Sequence, residues 1–328
     1  MKDTFLASLQ NALHRLLAND SSIIVMGEDI LDPYGGAFKV TKGLSTSFSN
    51  QVITTPISEA GFLGVANGLA LRGMKPIAEI MFGDFITLGA DQIINYAAKF
   101  KGMYQADLDY HYVIRMAVGA GRGYGPTHSQ TLEKLYLGIP NLKLIAPSKF
   151  HDPGNLLETA INDQGPVLFL EHKLLYSKKI GMNTLNLQSN DEMYPTVKIS
   201  NTIRPDIDIT LITYGGALWV EPLLVRLAEE EIWTEVILPS SINTTTYPLA
   251  ESSIMRSKHA IVVEEGAGSF GWGAQVAQSL TSSCWGTLRK PVKTITSTNT
   301  IIPTARELEE QYLPNVESIE ETIYEVLA

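Results

Sequence analysis

The sequence is nearly devoid of cysteine. Cys284 is the only one in 328 residues, which excludes an internal disulfide and a cysteine-built metal centre and fits a reducing compartment. Long apolar runs are missing too, and no uninterrupted segment is long enough to span a bilayer. The N-terminal MKDTFLASLQNALHRLLAND reads as a helix rather than a signal peptide, because Phe5, Leu6, Leu9, Leu13, Leu16 and Leu17 are spaced along one face and broken by charge. A soluble cytoplasmic protein is expected. Positive charge is scarce: the formal net charge is −10, and no basic cluster is interleaved with aromatics, which argues against nucleic-acid binding. No ligand cluster has zinc spacing. The glycines before His128 do not spell a nucleotide fingerprint either. Counting from Gly119, a dinucleotide loop needs glycine where Tyr124 stands, and no Lys-Ser/Thr pair follows.

What is present is a long α/β alternation. With 45% hydrophobic and 18% charged residues, the chain has ample core material for about two domains. SSIIVMGED, KPIAEIMF, YHYVIRMAVG, NLKLIAPS and GPVLFLEH read as buried strands. Between them, the stretch after Thr54, DQIINYAAKFKGMY and residues 155–162 read as helices. Strands separated by helices imply parallel pairing. The polar stretch from Lys178 to Ile203 interrupts this rhythm and reads as a linker or surface ribbon. A second series follows: DIDITLITYG, ALWVEPLLVRLAEEE, TEVILPS, HAIVVEE and a glycine-rich turn into another helix. The expected architecture is two α/β domains, each a mostly parallel sheet flanked by helices.

Two segments carry candidate chemistry. In TPISEAGFLGVANGLALRG, Glu59 is the only carboxylate at the head of an apolar helix. It suits the helix dipole, worth ~0.3–1 kcal/mol, with Ser58 as N-cap. Gly61, Gly64 and Gly68 share a face, however, and each costs about 1 kcal/mol against alanine. That loss implies close packing on another backbone, of this chain or of a second one, where a desolvated acid can handle a proton. In AVGAGRGYGPTHSQTLEKL, His128 ends a flexible or tightly folded glycine loop after a strand, where parallel sheets bind ligands. Thr127 and Gln130 have capping-box spacing for a short helix. A structural histidine is the competing reading. Glu264 and Glu265 end a strand and read as solvated, Ser129 lacks the setting of a nucleophile elbow, and His151 and Asp152 read as helix caps.

Taken in order, GEDILDPYGGAFKVTKGL, TPISEAGFLGVANGLAL, EIMFGDFITLGADQIINYAAK, HSQTLEKLYLGIPNLKLIAPS, AINDQGPVLFLEHKLLY, VEEGAGSFGWGAQVA and YLPNVE resemble the beta subunit of thiamine-diphosphate-dependent 2-oxoacid dehydrogenases, the pyruvate and branched-chain type. The resemblance spans nearly the whole chain. It implies a pyrimidine-binding domain over 1–190, a linker over 191–204 and a transketolase C-terminal-like domain over 205–328. It assigns Glu59 to the acid on the cofactor's aminopyrimidine ring nitrogen, Phe85 to the aromatic against that ring, and His128 to the histidine facing the substrate adduct. It also implies a potassium site, largely of backbone carbonyls, at Tyr112, Ala160, Ile161, Asp163 and Gly165, although position 165 is usually asparagine. Magnesium and the diphosphate are held in such enzymes by a GDG-to-NN motif. This chain has GDF at Gly83 and no paired asparagines downstream. A partner alpha subunit is therefore expected to hold them, in an α2β2 heterotetramer with the cofactor at each junction.

The departures bear on the acyl acceptor. ILPSSINTTTYPLAE stands where the family usually has an acid, a Leu-Arg pair and a Pro-Trp-Asp, and GPTH echoes transketolases. The acceptor is then lipoamide on an acyltransferase core, or another carrier. A specialised two-component carboligase or a split transketolase half is the rival enzyme reading, and a non-catalytic assembly subunit is the rival of another class.

Overall fold

The computed structural model describes residues 4–105, 107–181 and 185–328. The chain forms two compact units. One comprises residues 1–119 and 135–180, and the other 120–134 and 181–328.

The first unit is built on a six-stranded parallel sheet of β1 (Ile23–Gly27), β2 (Val52–Thr54), β3 (Lys75–Ile80), β4 (His111–Val118), β5 (Lys143–Ile145) and β6 (Gly165–His172). Their order is β2-β1-β3-β4-β6-β5. β1, β3, β4 and β6 are almost wholly buried, as expected of parallel strands covered on both faces, while the edge strand β2 exposes Ile53 and Thr54. Helices α1 (Phe5–Asn19), α3 (Glu59–Leu71) and α5 (Pro153–Asn162) connect and cover them, with single turns at α2 (Leu44–Ser47) and α4 (Phe100–Met103). α1 buries Phe5, Leu9, Leu13, Leu16 and Leu17, and Thr4 caps it through the N–H of Ala7 at 3.1 Å. Asp152 caps α5 through Gly154 and Asn155. It also accepts from Ser8 at 2.6 Å, tying α5 to α1. The stretch expected as one helix after Asp91 is broken into a π turn over Gln92–Ala97 and then α4. A 3-10 helix over Gly83–Gly89 precedes it.

A charged triad lies inside this sheet. Parallel register sets Glu79 beside Arg115. Arg115, 1% exposed, donates to Glu79 and, at 2.8 Å from Nε, to Glu171. Tyr176 donates its hydroxyl to Glu171 at 2.8 Å. One guanidinium serves two acids, and burial raises the Glu79 carboxyl despite the attraction of Arg115.

The second unit has strands β7 (Asn186–Ser189), β8 (Thr196–Ser200), β9 (Ile209–Ile212), β10 (Thr234–Pro239), β11 (Ala260–Ala267) and β12 (Lys293–Ser297), in the order β12-β11-β9-β10-β8-β7. Four are parallel, while β8 and β7 run antiparallel to their neighbours. The expected linker over 191–204 is therefore corrected, since it supplies β8, whose Val197 and Ile199 are core residues. Within the longer polar stretch, residues 182–184 lie outside the described residues. Helices α6 (Val220–Glu229), α7 (Pro248–Ser257), α8 (Trp272–Ser283), α9 (Arg306–Tyr312) and α10 (Val316–Leu327) complete this unit. Glu264, expected to be solvated, is buried. It accepts the N–H groups of Trp272 at 3.1 Å and Gly273 at 2.7 Å and so caps α8. Among the described residues no helix is long and apolar enough to cross a membrane.

Replacing Arg115 by methionine would strand two buried acids. We expect a loss of about 3–5 kcal/mol in urea unfolding; a change under about 1 kcal/mol would show that the triad contributes little.

Candidate active site

The first sheet reverses its order at β1, from which the chain moves to β2 on one side and β3 on the other. Open parallel sheets bind ligands outside their carboxyl ends at such a point. Glu28 follows β1 there, and Glu59 opens α3 after β2. Each is only 5% exposed. Ser58 makes no side-chain cap to α3. Its backbone N–H instead bonds the Glu28 carboxyl, so Glu28 stands at the helix N-terminus beside Glu59. Burial first, then the charges of Glu59 and Asp29, push the Glu28 carboxyl up to about 7. Its Oε1 has no hydrogen-bond partner among the described residues. The sequence showed acids ending this strand, but only the sheet order reveals that Glu28 faces Glu59.

After β3 the chain tightens into the 3-10 helix carrying Phe85. It presses on α3, where a Cβ on Gly89 would stand 2.2 Å from Leu63 Cδ1. Phe85 meets Phe82 edge-on at 6.3 Å, and Phe82 meets Phe38 at 5.5 Å. The first unit thus offers two acids, one with an orphaned oxygen, and an aromatic wall. That set fits an aromatic nitrogen heterocycle that exchanges a proton.

Among the described residues, only side chains stand close to the glycine face of α3. A Cβ on Gly68 would meet nothing within 4 Å, and one on Gly64 or Gly61 would meet only the side chains of Gln92 or Ser58. Val65 on the same helix is exposed, as is Ile57, at 84%, just before it.

His128 belongs to the second unit, with the rest of residues 120–134. The loop is tight: Gly119, Gly121, Gly123 and Gly125 all have φ between +68° and +91°, a region glycine enters without strain. Acids of the second unit hold it. Glu265 accepts the N–H of Ala120 at 2.8 Å and Glu309 that of Gly123 at 2.7 Å. Buried Glu133 accepts the Tyr214 hydroxyl. Burial raises the Glu133 carboxyl to about 7. His128 Nδ1 lies 3.0 Å from Thr127 Oγ1. The expected Thr127–Gln130 capping box is replaced by turns leading to a 3-10 turn over Glu133–Leu135.

Of the five potassium candidates, Tyr112 lies on β4 and Gly165 opens β6, the register pairing His111 with Gly165 and Tyr112 with Pro166, and Ala160, Ile161 and Asp163 lie at the end of α5. The Asp163 carboxylate there pairs with Lys143, and its carbonyl lies 2.8 Å from His111 Nδ1.

The transketolase pyrimidine-binding domain matches residues 3–179, and the transketolase C-terminal domain residues 200–319. The acetoin:2,6-dichlorophenolindophenol oxidoreductase subunit beta of Cupriavidus necator is 32% identical over 325 residues, covering 95% of this chain and 94% of that protein. The mitochondrial pyruvate dehydrogenase E1 component subunit beta-1 of Arabidopsis thaliana is 34% identical over 314 residues, covering 95% and 86%. A solved structure, a split gene transketolase in an inactive beta4 tetramer, aligns over 99% of this chain and 98% of that one, with a TM-score of 0.73 at 18% identity, a likeness of fold. The two halves are thus those of a transketolase-type protein. With these relatives over nearly its whole length, the chain belongs to the beta-subunit family of thiamine-diphosphate-dependent 2-oxoacid dehydrogenases.

The shifted Glu28 carboxyl makes stability depend on pH. Its folded value, about 7, lies above an ordinary value of 4.5, so its contribution is full below about 4.5 and is lost as pH rises to 7. The urea midpoint of the wild type should fall relative to Glu28→Gln across that window; a difference independent of pH would contradict the assignment.

Proposed function

We propose that this chain contributes the proton-handling half of a two-chain active site that decarboxylates a small 2-oxoacid and passes the acyl group to a carrier. The observation carrying this reading is the buried pair Glu28–Glu59 at the switch point of the first sheet. When bound, thiamine diphosphate supplies a nucleophilic carbon and an electron sink for the carbon–carbon bond cleaved beside the carbonyl. Glu59 holds a proton at the pyrimidine ring nitrogen. Glu28, which keeps part of its proton up to about pH 7, spares Glu59 a second full charge at close quarters. Phe85 walls the ring and excludes water. His128 donates to oxygen on the reacting substrate, held in place by the loop anchors on Glu265, Glu309 and Tyr214.

The partner is an alpha chain, as the relatives' subunit names support, and we infer an α2β2 assembly. The exposed glycine face of α3 suits close backbone approach by that second chain. Magnesium and the diphosphate belong to the alpha side. Potassium would lie among the carbonyls of Tyr112, Ala160, Ile161, Asp163 and Gly165, where Lys143 already offsets the Asp163 charge. The acceptor is a lipoyl acyltransferase core or another carrier.

Glu59→Gln in the reconstituted complex should cut turnover by about 10²-fold or more while leaving assembly intact. Unchanged turnover would return Glu59 to the role of helix cap. Gly68→Leu should keep or raise the stability of the isolated chain, by up to about 1 kcal/mol, yet abolish co-purification with the alpha chain. Retained assembly would move the interface elsewhere.

A further inference from the structure

ILPSSINTTTYPLAE departs from the family pattern, and nothing in the thiamine chemistry proposed above uses it. In the second unit it carries the chain from β10 into α7, and a cavity of about 320 Å³ opens beside it. Register pairs Pro239, the last residue of β10, with Thr196, the first of β8. The turn before β8 and the turn before α7 therefore come together, and both wall the cavity. Every residue lining it belongs to this unit.

We propose that this cavity binds a neutral pyranose sugar, its hydroxyls paired with Thr196, Thr246 and Asn190 and its C–H face laid against Tyr247. The volume admits a small organic molecule. The chemistry of the wall selects the class. Where the family usually carries an acid and a Leu-Arg pair, this chain has a run of serines and threonines, of which Ser241, Thr244 and Thr246 line the cavity. A hydroxyl both donates and accepts, so such a wall fits a ligand that does the same at several points. Among the described residues, Thr196 Oγ1 and Thr246 Oγ1 make no hydrogen bond. Asn190 Oδ1 accepts the Thr196 N–H at 2.8 Å, which fixes the amide and leaves its NH2 to donate. Tyr247 is 5% exposed, and its hydroxyl is tied to the Thr244 carbonyl at 2.8 Å, so the ring is held as a rigid surface. The electron-rich face of such a ring attracts the polarised C–H groups of a sugar. Ile237 and Leu249 complete the apolar side.

Charge fixes the ligand as neutral. Among the described residues no lysine, arginine or histidine lines the cavity, so a phosphate or carboxylate would lose its water without a cation to replace it. The charge in the lining is that of Glu192, which is exposed, and an exposed carboxylate holds a cation weakly against solvent. A purely apolar ligand would leave the hydroxyls and the amide unmet.

The test is saturation-transfer NMR and calorimetric titration of the purified full chain at neutral pH, without cofactor or alpha partner. The probes are the methyl glycosides of glucose, galactose and mannose, with glucuronate as the charged sugar and cyclohexylmethanol as the ring stripped of hydroxyls. At least one glycoside should bind saturably with a Kd of about 1 mM or tighter, and glucuronate and cyclohexylmethanol about tenfold more weakly or not at all. Thr196→Val, which removes the hydroxyl and keeps the shape, should weaken that glycoside about fivefold while the thermal melt by circular dichroism stays in place. Leu249→Trp, which fills the cavity, should abolish binding. No saturable glycoside binding, equal binding of glucuronate or cyclohexylmethanol, or an affinity unchanged in either variant would overturn the proposal. With no cofactor or partner in the sample, neither result bears on the thiamine reading.

Discussion

Two carboxyl groups buried at one helix N-terminus are the constraint that organises the first unit. A pair of ionised acids in such a place would be costly. The chain relieves the cost with the Ser58 N–H and the dipole of α3, and by letting Glu28 keep its proton toward neutrality. The sheet order puts them there, with β1 and β2 side by side and β3 feeding the aromatic wall. The Glu79–Arg115–Glu171 triad fixes the register of β3, β4 and β6 behind them. Glu79 itself adds to the field at Glu28.

The same economy recurs in the second unit, where an acidic chain uses acids as structural acceptors of backbone N–H groups. Glu264 caps α8, while Glu265 and Glu309 hold the glycine loop. A loop that enters the sequence between two strands of the first sheet is thereby fixed by residues more than 140 positions further on. This explains how four alternating left-handed glycines can hold one conformation in the loop before His128.

Much of this was legible in the sequence. The parallel strands announced themselves as buried apolar runs, and the N-terminal helix as a clean apolar face. Glu59 and His128 stood out by the glycines around them, and the family resemblance gave them, with Phe85, the roles proposed above. What escaped was non-local. Glu264 looked solvated because the N–H groups it caps lie eight and nine residues ahead. Glu28 gains its neighbour only when β1 and β2 pair. The strands β7 and β8 carry too few apolar residues to show a pattern, since the former is exposed throughout. The helix expected after Asp91 breaks up in a region where the preceding 3-10 helix must close on Leu63 at Gly89. Periodicity alone cannot register that constraint.

Under the proposed function this chain is half of a pocket, meeting the pyrimidine while an alpha chain anchors the diphosphate. The most direct measurement is a thiamine diphosphate titration, with magnesium, of the chain alone and then of the chain with its alpha partner. Saturable binding should appear only in the two-chain sample. Equally tight binding by the isolated chain would contradict the half-site on which the account rests.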